Sequence, residues 1–300
     1  HPFDRNCRIE SVIGDIRNID RMRNVFKSFK PDIVYHAAAY KHVPVMENNP
    51  SESILNNVLG TCILADLAVE FHVPKFVMVS TDKAVNPTNI MGATKRIAEI
   101  YCQSLNNHNP VTRFITTRFG NVLGSNGSVI PRFKKQIEMG QPITVTHPEV
   151  TRFFMTIPEA CQLVLEAGTM GKGGEIFIFD MGESVNIADL AKKMIRLSGL
   201  ELGKDIQIVY SGLRPGEKLY EELLASEENT IPTHHQKIMI AKVKEYNFET
   251  ISNEINDLIA MFNSQNNEMI VKKMKEIVPE FISQNSVYEK LDNKKESSNS

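Results

Sequence analysis

Four consecutive residues at the end of a predicted strand place hydroxyl, carboxyl and amine groups side by side: Ser80, Thr81, Asp82 and Lys83. A carboxyl and an amine at one site can act as the acid and the base of a single reaction. Met91 and Lys95 follow on a predicted helix, and their i, i+4 spacing places both side chains on one helix face. The thioether of Met91 cannot accept a proton at neutral pH. Without the surrounding motifs, an adjacent Asp-Lys pair indicates a solvated turn.

The elements that position these side chains alternate between strands and helices. Apolar patterns predict strands over residues 8–14, 32–38, 75–80 and 113–118, and helices over residues 18–29, 51–71 and 91–105. Strands separated by helices of this length indicate βαβ units, and therefore a parallel sheet with helices on both faces. Ligands of such sheets bind at the carboxyl ends of the strands. This edge is predicted to carry Asp15, Ala37, Ala38, Ala39, Ser80, Thr81, Gly120 and Asn121.

Beyond residue 124 the predicted elements are shorter, and a helix is expected to begin near Ser128. Strands are predicted over residues 143–146, 175–179, 206–210 and 237–241, and helices over residues 158–167, 186–197 and 248–262. We interpret residues 124–284 mainly as a smaller substrate-binding lobe, with some segments returning to the sheet. The polar and charged composition of residues 285–300 predicts a disordered tail.

Composition narrows the class of protein. The 300 residues suit one large α/β domain or two modest ones, and a net charge of −2 makes nucleic acid an unexpected partner. Four scattered cysteines lack the spacing of a zinc site, so we expect no metal and buried free thiols: Cys7, Cys62, Cys102 and Cys161. We find no apolar run near the roughly 20 residues that span a bilayer and no signal peptide, which indicates a cytoplasmic protein.

Four segments carry a resemblance to a known family: residues 14–17, 36–44, 79–87 and 91–95. Their order and spacing resemble the extended short-chain dehydrogenase/reductase family. More narrowly, they resemble its UDP-N-acetylglucosamine 4,6-dehydratases of capsule, lipopolysaccharide and protein-glycan biosynthesis. The resemblance covers residues 8 to about 281 and implies a Rossmann-like, doubly wound α/β sheet with a smaller substrate-binding lobe. Residues 1–123 would then form the NAD(P)-binding part.

The resemblance also implies an activity and its partners. It implies a lyase that oxidises a UDP-sugar at C4, eliminates water across C5 and C6, and returns hydride to C6. NAD or NADP is implied as a tightly bound cofactor that is recycled in each turnover. A homo-oligomer that assembles through the helix holding Lys95 is implied as well. The family's Tyr-x-x-x-Lys is Met91-x-x-x-Lys95 here, as in a subgroup of long, membrane-anchored dehydratases.

By resemblance, the cofactor-binding residues are Asp15, Ile16, Ala37, Ala38, Ala39, Lys41, Ser80 and Lys95. Asp15 is expected to accept a hydrogen bond from the adenine amino group, although capping of the following helix is the alternative. The catalytic residues are Thr81, Asp82, Lys83, Met91 and Lys95, with Asp82 as the acid at C6 and Lys83 as the base at C5. Because Met91 replaces the tyrosine, the group that takes the proton of the 4-hydroxyl stays open between Asp82 and a water held by Thr81. His36 and Asn57 are expected to be structural.

The substrate-binding residues implied by the resemblance are Asn121, Arg132, Thr144, His147, Arg152, Arg214 and Glu217. Asn121 and the three arginines are candidates for the diphosphate, since arginine and helix amino termini favour phosphate. Glu217 is the candidate for the ribose hydroxyls. Thr144 and His147 are expected to line the uracil pocket.

The glycine-rich turn that binds a pyrophosphate in this family is missing from the sequence. We therefore expect the first strand-helix-strand of the fold to lie upstream of residue 8, together with any membrane anchor, and we expect this chain alone to have little activity. Two alternatives remain open. One is a nucleotide-sugar epimerase or reductase of the same fold, and the other is a non-catalytic NAD(P)-binding protein.

Overall fold

The computed structural model describes residues 8–222 and 229–292. Its strands are β1 Ile33–His36, β2 Lys75–Val79, β3 Arg113–Arg118, β4 Asn121–Val122, β5 Ile143–Val145, β6 Thr151–Arg152, β7 Phe154–Met155, β8 Ile176–Phe179, β9 Val185–Asn186, β10 Ile208–Tyr210, β11 Asn229–Pro232 and β12 Ile238–Lys242. Its α-helices are α1 Ile19–Phe29, α2 Val43–Glu47, α3 Pro50–Ser53, α4 Gly60–Glu70, α5 Ile90–His108, α6 Val129–Glu138, α7 Ile157–Met170, α8 Ile187–Leu197, α9 Phe248–Ala260 and α10 Asn267–Ile277. A π-helical turn, Ile54–Leu59, joins α3 to α4, and short 3₁₀ helices cover Asp82–Ala84, Met261–Ser264 and Val287–Leu291.

The central sheet has the strand order β1-β2-β3-β8-β12-β11. The first four strands are parallel, and β12 and β11 are antiparallel to their neighbours. The predicted α/β fold with a mostly parallel sheet is therefore confirmed. Three of its six strands, β8, β12 and β11, come from beyond residue 124. Later segments of the chain therefore return to the sheet, as expected.

Helices cover both faces of this sheet. Successive side chains of β2 point to opposite faces, and each face packs into its own apolar core. Phe76 and Met78 pack into one core together with residues of α1, α4, α5, α9 and α10, whereas Val77 packs with α7 in a second core. Strands that are buried on both faces are typical of parallel sheets with crossover helices. A third apolar cluster joins α6 and α8 to β5 and forms the smaller lobe.

Helix α5 is the best-buried helix around the site. Asn89 caps it by accepting a hydrogen bond from the Gly92 amide at 2.8 Å, and the buried Glu47 accepts one from the Ile90 amide at 2.6 Å. These two side chains satisfy amides that have no partner within the helix. Because α4, α9 and α10 pack around it, residues 90–102 of the helix are buried without a break.

Four sequence predictions were wrong in part. Residues 8–14 form no strand: they have no paired neighbour and lie exposed, and alternation alone cannot supply a hydrogen-bonding partner. The tail is ordered as far as residue 292, because Tyr288 is buried at the foot of α10, whereas residues 293–300 lie outside the described part. Cys161 is exposed rather than buried. Pro50–Glu70 is long and apolar enough to cross a membrane by length and composition, but 67% of this stretch is buried inside the protein, as in a core helix.

Candidate active site

A cavity of about 460 Å³ opens at the carboxyl ends of β1, β2 and β3, between the central sheet and the smaller lobe. It is lined by most of the residues that the sequence singles out: Ala37, Ala39, Lys41, Ser80, Thr81, Lys83, Met91, Lys95, Asn121, Arg132, Thr144, Arg152, Arg214 and Glu217. Five predicted residues do not line it: Asp15, Ile16, Ala38, Asp82 and His147. The fold therefore brings most of the predicted residues to one cavity, and Asp82 lies in the chain between two lining residues, Thr81 and Lys83.

The turn that follows β2 holds the acid and the amine together. The Asp82 amide donates to the Phe119 carbonyl at 3.1 Å, which ties the turn to the end of β3. The Asp82 Oδ1 atom accepts hydrogen bonds from the Thr81 hydroxyl at 2.8 Å and from Lys83 Nζ at 3.0 Å. Thr81 also accepts from the Lys83 amide at 3.4 Å, so its hydroxyl caps the 3₁₀ helix. All three side chains are thereby fixed relative to one another.

Burial governs the ionisation of Asp82, which is 1% exposed. Burial raises the pKa of Asp82, and the nearby Glu221 raises it further, while Lys83 opposes both effects. Within the described part of the chain, no donor reaches its second oxygen, Oδ2. Asp82 therefore holds a proton at a higher pH than an ordinary aspartate, as an acid in a reaction must.

Glu221 belongs to this cluster, and sequence analysis missed it. Its Oε1 atom lies 3.4 Å from Lys83 Nζ and 3.6 Å from Arg152 Nε. Burial alone would lower the pKa of Lys83, but the carboxylates of Asp82 and Glu221 hold it above its ordinary value. In the sequence, Glu221 is one of two adjacent glutamates, a pattern typical of a solvated surface. Only the folded structure places it in the cavity.

Met91 and Lys95 both face the cavity, as their spacing on α5 predicts, and each is 5% exposed. Burial lowers the pKa of Lys95 to about 8, although Glu99 and Cys102 act in the opposite direction. Among residues 8–222 and 229–292, its ammonium has no hydrogen-bond or ion-pair partner. A buried cation in this state is suited to bind a ligand hydroxyl or an anion.

Other polar groups of the site are engaged in structural contacts. Ser80 lines the cavity, but its hydroxyl donates to the buried Glu99 at 2.7 Å. His36 contacts the Thr61 hydroxyl at 2.8 Å, and burial lowers the pKa of its imidazole to about 3, so the ring is neutral. Asn57 accepts from the Tyr40 amide at 2.7 Å and fixes the segment after β1. The expected structural roles of His36 and Asn57 are confirmed.

The smaller lobe contributes a second group of polar residues. Arg152 is largely held inside the protein, donating to the Thr151 carbonyl at 2.7 Å and to Glu217 at 3.2 Å. Glu217 also accepts from Thr146, a cavity residue that sequence analysis missed, at 2.9 Å. Arg214 contacts Glu217 at 3.4 Å and stays 48% exposed along its side chain. Of the arginines, Arg152 is therefore structural in part, whereas Arg214 is open to a ligand.

The remaining candidates differ in their positions. Thr144 lies on β5 and accepts from Gln136 on α6 at 3.1 Å, and Arg132 is exposed on the same helix. His147 does not line the cavity, and its Nδ1 atom accepts a hydrogen bond from the Glu149 amide at 3.2 Å. This placement gives no support to a role for His147 in a uracil pocket.

Asp15 lies outside the cavity and is paired with Arg17 at 2.7 Å. Its hydrogen bonds with Arg17 lower the pKa of Asp15 to about 2. It does not cap α1, since Asn18 does so by accepting from the Arg21 amide at 3.0 Å. Ile16 packs against Gly60 on α4. The adenine role of Asp15 stays a prediction.

Gly92 allows α5 to approach the turn after β2 that holds Asp82 and Lys83. A Cβ at this position would lie 2.0 Å from the Lys83 carbonyl oxygen, which is backbone and cannot rotate away. We expect Gly92→Ala to lower the free energy of unfolding by about 1–3 kcal/mol and to displace the turn. Gly60→Ala is the matched control, because its Cβ would meet only the flexible Ile16 side chain. Urea denaturation of both variants measures the difference, and equal stability of Gly92→Ala and the unaltered protein would contradict the expectation.

The mostly parallel sheet, the helices on both of its faces and the cavity at its carboxyl edge define a Rossmann-like α/β protein of the short-chain dehydrogenase type. The family described as polysaccharide biosynthesis protein matches residues 3–243, and the chain belongs to this family. Capsular polysaccharide biosynthesis protein CapD of Staphylococcus aureus is 58% identical over 254 residues, which are 85% of this chain and 42% of that protein. The chain thus spans less than half the length of this relative.

A second relative is named for a reaction. UDP-N-acetylglucosamine 4,6-dehydratase (inverting) of Campylobacter jejuni is 39% identical over 230 residues, which are 76% of this chain and 65% of that protein. Among solved structures, Pen from Bacillus thuringiensis superposes with a TM-score of 0.71 at 36% identity, over 85% of this chain and 83% of that one. The likeness to Pen extends over the sheet and the smaller lobe together.

Proposed function

We propose that the protein is an NAD(P)-dependent nucleotide-sugar 4,6-dehydratase that acts on UDP-N-acetylglucosamine for surface polysaccharide synthesis. The observation that carries this proposal is the buried Asp82–Lys83 pair beside a cavity that Lys95 also faces. Membership of the polysaccharide biosynthesis family and the relative named as a 4,6-dehydratase support it. Residues 1–123 are proposed as the cofactor-binding part and residues 124–284 mainly as the substrate lobe.

The residues present fit one end of a nicotinamide cofactor. Ala37 and Ala39 line the cavity with small side chains, which leave room for close approach, and Lys95 offers an ammonium without a partner in the described part of the chain. We propose that Lys95 binds the nicotinamide ribose. Bound NAD or NADP supplies a hydride acceptor at C4 and a hydride donor at C6. The remaining steps are proton transfers by residues of this chain.

Elimination of water needs a base for the proton on C5 and an acid for the oxygen on C6. In the free protein, Asp82 and Glu221 hold Lys83 as an ammonium. We infer that the Lys83 proton passes to Asp82 Oδ1, 3.0 Å away, which leaves a neutral amine beside a protonated carboxyl. Lys83 then takes the C5 proton, the C6–O bond breaks, and Asp82 gives its proton to the departing hydroxide as water. Thr81, bonded to Asp82, is placed to orient the 4-hydroxyl.

Exposed cations at the smaller lobe support a diphosphate ligand. Arg132 and Arg214 both line the cavity and are open to solvent, and a planar guanidinium suits phosphate oxygens. Asn121 accepts a hydrogen bond from Lys83 Nζ at 3.3 Å. We propose that it also contacts the diphosphate, and so connects this ligand with the turn that holds Asp82 and Lys83. We propose Glu217 for the ribose hydroxyls and Thr144 for the uracil.

The proposal includes a homo-oligomer on the cytoplasmic side of the membrane. The helix expected to mediate the contact, α5, is covered by α9 and α10 of the same chain. An oligomer of this protein therefore requires a different face from the one that the resemblance implied.

The deciding experiment supplies the purified full-length protein, not residues 1–300 alone, with NAD and UDP-N-acetylglucosamine in deuterium oxide. We expect the product to have lost one water molecule and to carry solvent deuterium at C5. Lys83→Met should give no deuterium at C5, because no other amine among residues 8–222 and 229–292 lies beside Asp82. An unchanged sugar would defeat the proposal, and an isomer of unchanged mass would favour an epimerase instead.

A further inference from the structure

Glu221 shares the Lys83 ammonium with Asp82. Its side chain is 4% exposed, and Oε1 lies 3.4 Å from Lys83 Nζ, while Asp82 Oδ1 lies 3.0 Å from the same nitrogen. The second oxygen of each carboxylate has no hydrogen-bond donor within the described residues. Two buried carboxylates therefore face one ammonium at the wall of the cavity.

The two carboxylates differ in the number of cations that lie beside them. Glu221 faces Lys83 and Arg152, with Lys218 also nearby, whereas Asp82 has Lys83 as its only adjacent cation in the described chain. In a site of low dielectric, the carboxylate with more cations stays ionised. Burial opposes ionisation of Glu221, but these three cations hold its pKa below the ordinary value, and its charge helps to raise the pKa of Asp82.

We propose that Glu221 is a positioning residue whose fixed negative charge sets the proton affinity of both Asp82 and Lys83, without exchanging a proton with the substrate. This inference rests on the proposed dehydration. The charge of Glu221 repels a second negative charge on Asp82 and attracts the positive charge on Lys83. Both effects favour the protonated form, so both groups work at a higher pH than they would without Glu221.

The test is the dependence of kcat on pH for Glu221→Gln, which removes the charge and keeps the shape. Both limbs of the profile are expected to move to lower pH, by about one unit or more for Lys83, since a unit charge 3.4 Å from its Nζ atom is lost, and the same charge raises the pKa of Asp82. Glu222→Gln is the matched control. Glu222 is the adjacent residue, contacts Asn86 at 2.8 Å and Lys218 at 4.0 Å, and its profile should match that of the unaltered protein. Glu221→Asp keeps the charge and should shift the limbs less than Glu221→Gln.

A second measurement does not depend on turnover. Carboxyl carbon NMR of aspartate-labelled protein follows the titration of Asp82, whose signal is identified by its loss in Asp82→Asn. Its midpoint should fall in Glu221→Gln and stay in place in Glu222→Gln. If the unaltered protein makes no dehydrated product, the proposed function fails, and the Asp82 midpoint alone decides the role of Glu221. An unchanged midpoint in folded Glu221→Gln, or an equal shift in Glu221→Asp, overturns the inference.

Discussion

Asp82→Asn is expected to lower kcat for the loss of water by a factor of about 10² to 10⁴, the usual contribution of a general acid. The amide keeps the size of the carboxyl but cannot give a proton to the departing hydroxide. It also removes the acceptor for the Lys83 proton, so formation of the neutral amine should slow as well. Product formation and the incorporation of deuterium at C5 should therefore fall together.

Stability separates this catalytic effect from a structural one. Burial raises the pKa of Asp82, so the charge on its carboxylate is unfavourable in the folded state. Glu221 still pairs with Lys83 when that charge is removed, so an amide should leave the free energy of unfolding little changed. Asp20→Asn is the control, because Asp20 is 89% exposed and far from the cavity. A value of kcat for Asp82→Asn within threefold of the unaltered protein would exclude Asp82 as the acid.

The regular part of the fold was predictable because its signals are local. The strand Arg113–Arg118 was predicted to the residue, and helical spacing found α1 and α5 to within a few residues. Alternation over residues 8–14 misled, because a strand also needs a neighbour that a local pattern cannot show. Helix α10 was missed, although its buried residues Ile270, Met274 and Ile277 recur at helical spacing.

The site was predictable where chemistry is carried by adjacent residues. Lys83 follows Asp82 directly, and Lys95 lies one helical turn after Met91, so the members of each pair must lie close together. Their assignment to a site came from the resemblance of the surrounding motifs to a known family. Glu221 and Thr146 could not be found in this way, because they meet Lys83 and Glu217 only when segments far apart in sequence fold together. His147 follows the lining strand β5 but does not itself line the cavity, so its role in a uracil pocket stays a prediction.

The turn after β2 is joined through Ser80 to a buried ion-pair network that no sequence motif indicated. Glu99 on α5 is fully buried and accepts hydrogen bonds from Ser80 at 2.7 Å, from Arg118 Nη2 at 2.7 Å and from Arg96 at 3.2 Å. Arg96 in turn reaches Glu280 beyond α10 at 3.0 Å. The network therefore connects the residue that precedes Thr81 with the carboxy-terminal helices that cover α5. Loss of the Glu99 carboxylate should therefore affect both the turn after β2 and the packing of the carboxy-terminal helices on α5.

Glu99→Gln is expected to lower the free energy of unfolding by about 3–5 kcal/mol at neutral pH, because it leaves two buried guanidinium groups without their shared carboxylate. Glu276→Gln is the control, since Glu276 is 54% exposed and its charge pair with Lys273 spans 3.7 Å. That variant should lose less than about 1 kcal/mol. Urea denaturation of the unaltered protein, Glu99→Gln and Glu276→Gln measures these differences in the free energy of unfolding.

The difference in the free energy of unfolding between the unaltered protein and Glu99→Gln can be measured as a function of pH. This dependence tests whether the charge of Glu99 causes the difference. Burial opposes ionisation of Glu99, but Arg118 and Arg96 hold its pKa below the ordinary glutamate value of about 4.3. A carboxyl with a lowered pKa stabilises the folded state above that value, and the contribution is lost as the pH falls through the pKa in the folded protein. The gap in stability between the unaltered protein and Glu99→Gln should therefore be constant near neutral pH and shrink below about pH 4. A gap that stays constant into acid would show that Glu99 contributes by its shape rather than by its charge.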